Sequence, residues 1–298
     1  MESTVHYDQC PVCGASLINL VLSAKDYTVS EKLFDVWQCN NCTLRFTQDV
    51  PAENSIGNYY KSENYISHTN TSKGFINRLY QFIRKRTLKQ KRKLVCKITG
   101  TKHGELLDVG SGTGAFVNEM KQNQWKVTGL EPDADARTVA QQTFHCDLKD
   151  TEELFRLSPG SFDAITLWHV LEHVHDLKNY IQQLKNLLSP GGRLIIAVPN
   201  YTSYDALTYK EYWAAYDVPR HLYHFSPASM KILIEENGMN VIEYKPMWFD
   251  SFYVSLLSSQ YKNGKTNWFG AVWTGLLSNI KAMSNKKKCS SVIYIIKK

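Results

Sequence analysis

The run Glu105-Leu-Leu-Asp108-Val-Gly110-Ser-Gly112-Thr-Gly114 places a carboxylate beside three closely spaced glycines. Glycine lets the backbone take angles that other residues refuse, and it lets a ligand approach the main chain. The spacing is Gly-x-Gly-x-Gly, not the Gly-x-Gly-x-x-Gly of a dinucleotide site, and an acid is a poor neighbour for a pyrophosphate. An acid next to such a turn suits a ligand with a positive group. About 20 residues on stands Glu131, whose two oxygens can accept from both hydroxyls of a ribose. A second constellation could hold a metal. Cys10-Pro-Val-Cys13 and Cys39-Asn-Asn-Cys42 are paired C-x-x-C units, the spacing of a zinc ribbon. Four thiolates fill the coordination shell of Zn2+, so the ion would be structural. The third set is histidines: His169, His173, His221 and His224. An imidazole titrates near neutral pH and can take a proton from an acceptor. His221 and His224 could equally do no more than pin their loop by hydrogen bonds.

These groups need elements to position them. Leu106, Leu107 and Val109 form a short apolar pulse that reads as a buried strand. The glycine turn then enters a helix that begins at Ala115, with Phe116 and Met120 on one face. A second strand spans residues 126–130, and a helix follows over Ala134–Phe144. Residues 145–148 read as a short third strand and 164–167 as the fourth, which exits at Trp168. A helix over 175–188 stops at the turn Ser189-Pro190-Gly191-Gly192, and 193–199 is a fifth strand, fully apolar over 194–198. An aromatic insertion, 200–225, precedes a helix that starts at Ser226-Pro227. Residues 241–245 and 290–296 are the last two strands, around a helical insertion over 250–288. The alternation of strand and helix predicts a doubly wound parallel sheet.

With the acid at the next strand end, Asp108-Val-Gly110-Ser-Gly112-Thr-Gly114 resembles the first motif of the class I S-adenosyl-L-methionine-dependent methyltransferases. The resemblance runs over residues 106–239. It implies an α/β fold: a seven-stranded, doubly wound, Rossmann-like sheet whose last strand inserts between the fifth and sixth. It also implies S-adenosyl-L-methionine as methyl donor. Asp108, Gly110, Gly112 and Gly114 would hold its methionyl end and Glu131 its ribose. Asp147 would accept from the adenine amino group, with Leu148 on the ring; a helix cap before Thr151 is the other reading. Trp168 and His169 would flank the methionyl part, while Glu172 and His173 brace the loop. His169-Val-Leu-Glu172-His173 also fits the zinc-protease pattern H-x-x-E-H, which would need one helix through all five residues. The later loop resembles that of the zinc-ribbon sugar C-methyltransferases, with their Tyr-His-Glu-His and Tyr-Phe-Ser pattern. His221 matches its second histidine and Phe225-Ser226 its end; Arg220 stands in place of the glutamate and His224 in place of the tyrosine. The core is similar to the ubiquinone-pathway O-methyltransferases as well. The expected catalytic base is His221, then His224 or His169.

The chain has 298 residues, 43% of them hydrophobic, and a net charge of +7. That is ordinary for a globular protein. Met1 to Gln9 is polar and unlike a signal peptide. No apolar run approaches the ~20 residues that span a bilayer. A cytoplasmic protein with reduced thiols is expected, with contact at the inner face of a membrane as a further expectation. Cys96, Cys146 and Cys289 read as small buried apolar groups. The expected organisation is a ribbon over 1–48, a linker or lid with a basic amphipathic helix over 49–98, and the methyltransferase domain over 99–298. The basic helix could lead into the core with a solvated charged face, lie on a membrane or lipid phosphate, or, least of all, bind nucleic acid. A second amphipathic helix, with Trp268, Phe269, Val272 and Trp273 on one face and lysines after it, could meet a membrane surface or pack on protein. The acceptor expected is a small molecule, a sugar, nucleotide-sugar or lipid-linked glycan precursor; a quinol-like ring is the alternative. A module that binds the donor, or a partner, without catalysis is the reading from another class.

Overall fold

The computed structural model describes residues 3–60 and 75–298, with 75–84 described as backbone only. The expected lid around Tyr65 and the apolar face from Phe75 to Ile83 therefore lie outside the described residues. Strands β1 (Thr4–Val5), β2 (Ile18–Lys25), β3 (Leu33–Cys39), β4 (Arg45–Thr47) and β5 (Val50–Pro51) open the chain. Helix α1 (Phe75–Thr99) leads to β6 (Gly104–Val109), α2 (Ala115–Lys121), β7 (Trp125–Leu130), α3 (Ala134–Phe144) and β8 (Phe162–Trp168). Then come α4 (Leu177–Leu187), β9 (Leu188–Pro199), α5 (Tyr204–Tyr209), β10 (Tyr223–His224), α6 (Pro227–Glu236) and β11 (Asn240–Pro246). Helices α7 (Asp250–Asn263) and α8 (Trp268–Ser284) precede the last strand, β12 (Ser291–Lys297).

Two compact units result. One comprises Met1–Ile66, Leu171–Lys178 and Ala197–Tyr294; the other comprises Ser67–Val170, Asn179–Ile196 and Ile295–Lys298. The main sheet has six strands in the order β11-β12-β9-β8-β6-β7. The last strand is thus inserted between the fifth and sixth, as the resemblance implies. Strand β6 pairs in parallel with β7 on one side and β8 on the other. Its Leu106, Leu107 and Val109 are fully buried, which is why the sequence there is apolar without alternation.

Two expectations need correction. The third of seven strands does not form: residues 145–148 make no ladder, and only Lys149 bridges to Leu130. Helix α3 ends at His145 in a left-handed conformation, φ +52°. The chain then has room for one bridge, which Lys149 secures through bonds with Gly129 and Glu131. Second, β9 begins at Leu188 and takes in the residues expected as a turn. Gly192 makes this possible, because a Cβ there would stand 2.8 Å from the carbonyl oxygen of Phe162 on β8.

In the first unit, β4 carries β10 on its outer edge, so the ribbon sheet runs β10-β4-β3-β2. Most aromatics of the insertion are core. Tyr201, Tyr209, Trp213 and Tyr216 are buried in one cluster with Ala24 and Val36 of the ribbon. A short ribbon makes a poor core alone, and here it shares one. Buried Asp205 fixes this packing by accepting from Trp213, Ser278 and Ser290. No helix among the described residues is long and apolar enough to cross a membrane.

Candidate functional site

Three sites emerge, each within one unit. In the second unit, parallel pairing of β6 and β8 sets Asp108 opposite Thr166. The Thr166 hydroxyl donates to Asp108 Oδ1 at 2.6 Å. Burial lifts the Asp108 carboxyl to about 6, against the Thr166 bond and the charge of Lys91. A buried acid held this way is costly unless a cation joins it. The glycines divide their work. A Cβ on Gly110 would lie 2.3 Å from Val170, and one on Gly114 2.8 Å from Ala140 of α3. Those two positions serve packing. Gly112 has φ +52° and faces nothing within 4 Å. It needs glycine for its backbone, and it opens the turn to a ligand.

Glu131 joins the next strand end to this turn. Its Oε2 accepts from the Gly112 amide at 2.7 Å and its Oε1 from the Asp133 amide at 3.1 Å. Burial raises its pKa, against those two bonds. Each oxygen keeps a lone pair for a further donor. Leu148 is buried and Asp147 exposed. The helix cap before Thr151 is Asp150, which accepts from the Glu152 amide, so Asp147 is not spent on capping. Trp168 closes the other side, edge-to-face on Phe116 at 5.8 Å, with Lys91 Nζ 4.3 Å from its ring centroid. Its indole N–H is buried with no hydrogen-bond partner among the described residues. His169 follows with φ +59°, a conformation uncommon outside glycine. An open glycine, two buried carboxylates and an orphaned indole N–H fit a ligand with a cationic end and a diol.

Helix α1 contributes here too. Arg92 pairs with Glu119 of α2 at 2.8 Å and Val95 is fully buried. At these positions the basic helix is a core element, as one of its three readings had it.

In the first unit the ligand-grade group is a histidine cluster. His221 Nδ1 donates to the Ala215 carbonyl at 2.9 Å, which leaves Nε2 with its lone pair. Asp217 Oδ2 stands 3.9 Å from that Nε2. Burial alone would raise Asp217, but the Arg220 hydrogen bond and the His221 charge hold it below the usual carboxylate range. The His173 ring lies edge-on to His221 at 4.6 Å, and its Nδ1 meets the Arg220 carbonyl and the Tyr60 hydroxyl. Burial, aided by His221, pushes His173 down to about 4. Thr47 donates its proton to the His221 carbonyl at 2.7 Å, so His224 Nε2 must donate to Thr47. Burial holds His224 well below its ordinary value. His224 thus braces the backbone of His221.

Arg220, the departure from the sugar C-methyltransferase pattern, is buried. It donates to Asp217, to the Tyr59 carbonyl and to Thr28 Oγ1. It ties the loop to the ribbon. The H-x-x-E-H reading fails on geometry: only Leu171–His173 is helical, as a single tight turn. Glu172, His173 and His221 do bring ligand atoms within 4.8 Å of one another, and His169 is not among them. Thr166, Lys91 and Asp217 escaped sequence reasoning. Thr166 had a signal, a lone hydroxyl in an apolar parallel strand; Lys91 was one cation among many.

The third site is the cysteine cluster. Cys10 and Cys42 Sγ lie 3.4 Å apart, Cys13 and Cys39 3.6 Å, and all four are within 4.8 Å. These separations exceed the ~2.05 Å of a disulfide. They approach the roughly 3.8 Å between thiolates around a tetrahedral zinc with ~2.3 Å bonds. Asn41 adds N–H bonds to Cys39 and Cys13 sulfur, the outer support such sites use.

Against known proteins, the family model for a methyltransferase domain matches residues 76–244. Ubiquinone biosynthesis O-methyltransferase, mitochondrial, of Rattus norvegicus is 27% identical over 165 residues, 50% of this chain and 48% of that protein. Demethylmenaquinone methyltransferase of Tropheryma whipplei is 27% identical over 195 residues, 61% of this chain and 77% of that protein. The chain spans about half the length of the ubiquinone-pathway relatives it matches. Among solved structures, a SAM dependent methyltransferase from Archaeoglobus fulgidus is 18% identical with a TM-score of 0.48, covering 72% of this chain and 94% of that one. The family match takes in more than half of the chain, from α1 to β11 and with it the whole glycine turn; the chain belongs to the methyltransferase-domain family.

Proposed function

We propose that the chain transfers a methyl group from S-adenosyl-L-methionine to a small-molecule acceptor. The observation that carries this is the open Gly112 between two buried acids, Asp108 and Glu131. When bound, the donor supplies an electrophilic methyl on a sulfonium. Asp108 offers its carboxylate to the methionyl ammonium, and Gly110 and Gly114 keep the turn tight around it. Glu131 takes the ribose hydroxyls. Leu148 packs on the adenine and Asp147 accepts from its amino group. Trp168 and His169 wall the methionyl side.

His221 is the base. Its Nδ1 is committed to a carbonyl, so Nε2 is the atom that takes the acceptor proton, and Asp217 stabilises the resulting imidazolium. His224 is a positioning residue. Zn2+ bound by Cys10, Cys13, Cys39 and Cys42 would be structural, with no open coordination position. Reduced thiols there suit a cytoplasmic protein, peripheral to the inner face of a membrane if its acceptor is lipid-borne.

Two acceptor classes remain in play: a quinol-like ring, and a sugar or lipid-linked sugar. The ubiquinone biosynthesis O-methyltransferases among its relatives favour the quinol and O-methylation. A transfer assay with labelled donor against a quinol panel and a nucleotide-sugar panel tests this. Product in either panel, slowed about 10²–10⁴-fold in His221→Ala with donor affinity intact, is expected. A full-speed variant removes His221 as base, and no transfer to either panel removes the acceptor reading.

A further inference from the structure

Helix α8 is packed the wrong way round for a helix in water. Its buried positions, Ala271, Gly275, Ser278 and Ala282, are all small. Gly275 meets α7, whose buried positions include Ser251, Ser255, Ser258 and Ser259, and Ser278 donates to Asp205 of α5. The approach is close: a Cβ on Gly275 would lie 2.8 Å from Phe252. The large apolar side chains point outward. Phe269 is 85% exposed, Met283 75%, Trp268 66% and Trp273 55%, with Val272 and Ile280 beside them. Trp248 and Phe249, also exposed, extend the patch, since Asn279 of α8 donates to the Trp248 carbonyl. Small residues inward and large ones outward is the arrangement of helices whose surroundings are apolar. An exposed patch of this kind marks an interaction surface.

Charge identifies the partner. No acidic side chain occurs between Asp250 and Lys298. Exposed Lys262 and Lys265 precede the helix, Lys281 sits in its last turn, and Lys286, Lys287 and Lys288 follow it. In the hollow at its end, the one lining acid is Glu243, which is paired with Lys245. We propose that α8 lies in the surface of an anionic bilayer, with Trp268, Phe269 and Trp273 among the acyl chains and the flanking lysines on the headgroup phosphates. Tryptophan and lysine in these places are what an interfacial helix uses. A protein partner would more often present its own mixed charges to such a face. The proposal rests on this surface alone, so vesicle binding and methyl transfer can fail independently.

The test is co-sedimentation of the full chain with vesicles of phosphatidylcholine, with or without a minority of phosphatidylglycerol, at low salt and at about 0.5 M salt. Binding to the anionic vesicles is expected, weakened at least ~10-fold by high salt or by neutral lipid. The double variant Phe269→Ser with Trp273→Ser, and the triple variant Lys286→Glu, Lys287→Glu, Lys288→Glu, should each lose at least ~10-fold. Brominated lipid should quench tryptophan fluorescence in the unaltered protein, a reading that needs no variant to fold. Absence of binding to anionic vesicles, equal binding by the variants, or absence of quenching overturns the proposal. So does a dimer in sedimentation velocity that Trp273→Ser dissolves without vesicle binding, which would assign the face to a second copy.

Discussion

Replacing Asp108 with asparagine should make the empty protein more stable and the donor site worse. The Asp108 carboxyl is buried and titrates at about 6, against an ordinary 3.8. A raised folded pKa means that the native state binds the proton more tightly than the unfolded chain. Its stabilising effect is full below about pH 3.8 and is lost as pH rises through about 6. A rise from 3.8 to about 6 makes the ionised carboxylate a burden of about 3 kcal/mol at pH 7. Asparagine keeps the shape and can still accept from Thr166. Allowing for one amide proton pair with fewer partners, a gain of about 1–3 kcal/mol is expected, or several degrees in Tm. At pH 4 the difference should vanish. Donor affinity should fall at least ~10-fold, because a charge-assisted bond to the ammonium is lost. Scanning calorimetry at the two pH values and titration calorimetry with S-adenosyl-L-methionine read both effects. An Asp108→Asn protein that is less stable at pH 7, or that binds the donor as tightly as before, would refute the reasoning.

Three further outcomes concern the glycine turn and the cysteine cluster. Gly112→Ala should fold with a loss of about 1–2 kcal/mol from its positive φ, yet bind the donor at least ~10-fold more weakly, because its Cβ enters the open cradle. Gly114→Ala adds an overlap with Ala140 to the same backbone cost, so thermal unfolding should rank it below Gly112→Ala. Metal analysis of the purified protein should find one zinc per chain, and Cys10→Ser with Cys39→Ser should abolish it and destabilise the shared ribbon core; a second zinc surviving in that variant would point to Glu172, His173 and His221.

Much of this was legible in the chain because it is local. The glycine turn, the acids at two successive strand ends and the C-x-x-C pairs are fixed spacings. Helix α3 has its expected bounds, Ala134–Phe144, and α6 starts at Ser226-Pro227 as expected. What escaped depends on distant residues. His173 and His221 meet only through the loop that Arg220 anchors to Asp217 and Thr28. Tyr201, Tyr209, Trp213 and Tyr216 of the insertion are core, which the local sequence does not show, because their partners Ala24 and Val36 lie in the ribbon. The third strand is reduced to one bridge, Lys149 to Leu130, after the left-handed turn at His145. The aromatic face of α8 was visible, but not its direction. Both faces of that helix are free of acids, and only packing reveals that the small residues turn inward.

The central claim is that a sulfonium donor sits between Asp108, the Gly112 turn and Glu131. A crystal structure of the full chain with S-adenosyl-L-methionine tests it most directly. The account predicts the ammonium on Asp108, the ribose hydroxyls on Glu131 and the donor's chain passing over Gly112. Donor density elsewhere, or a filled and closed turn at Gly112, would contradict it.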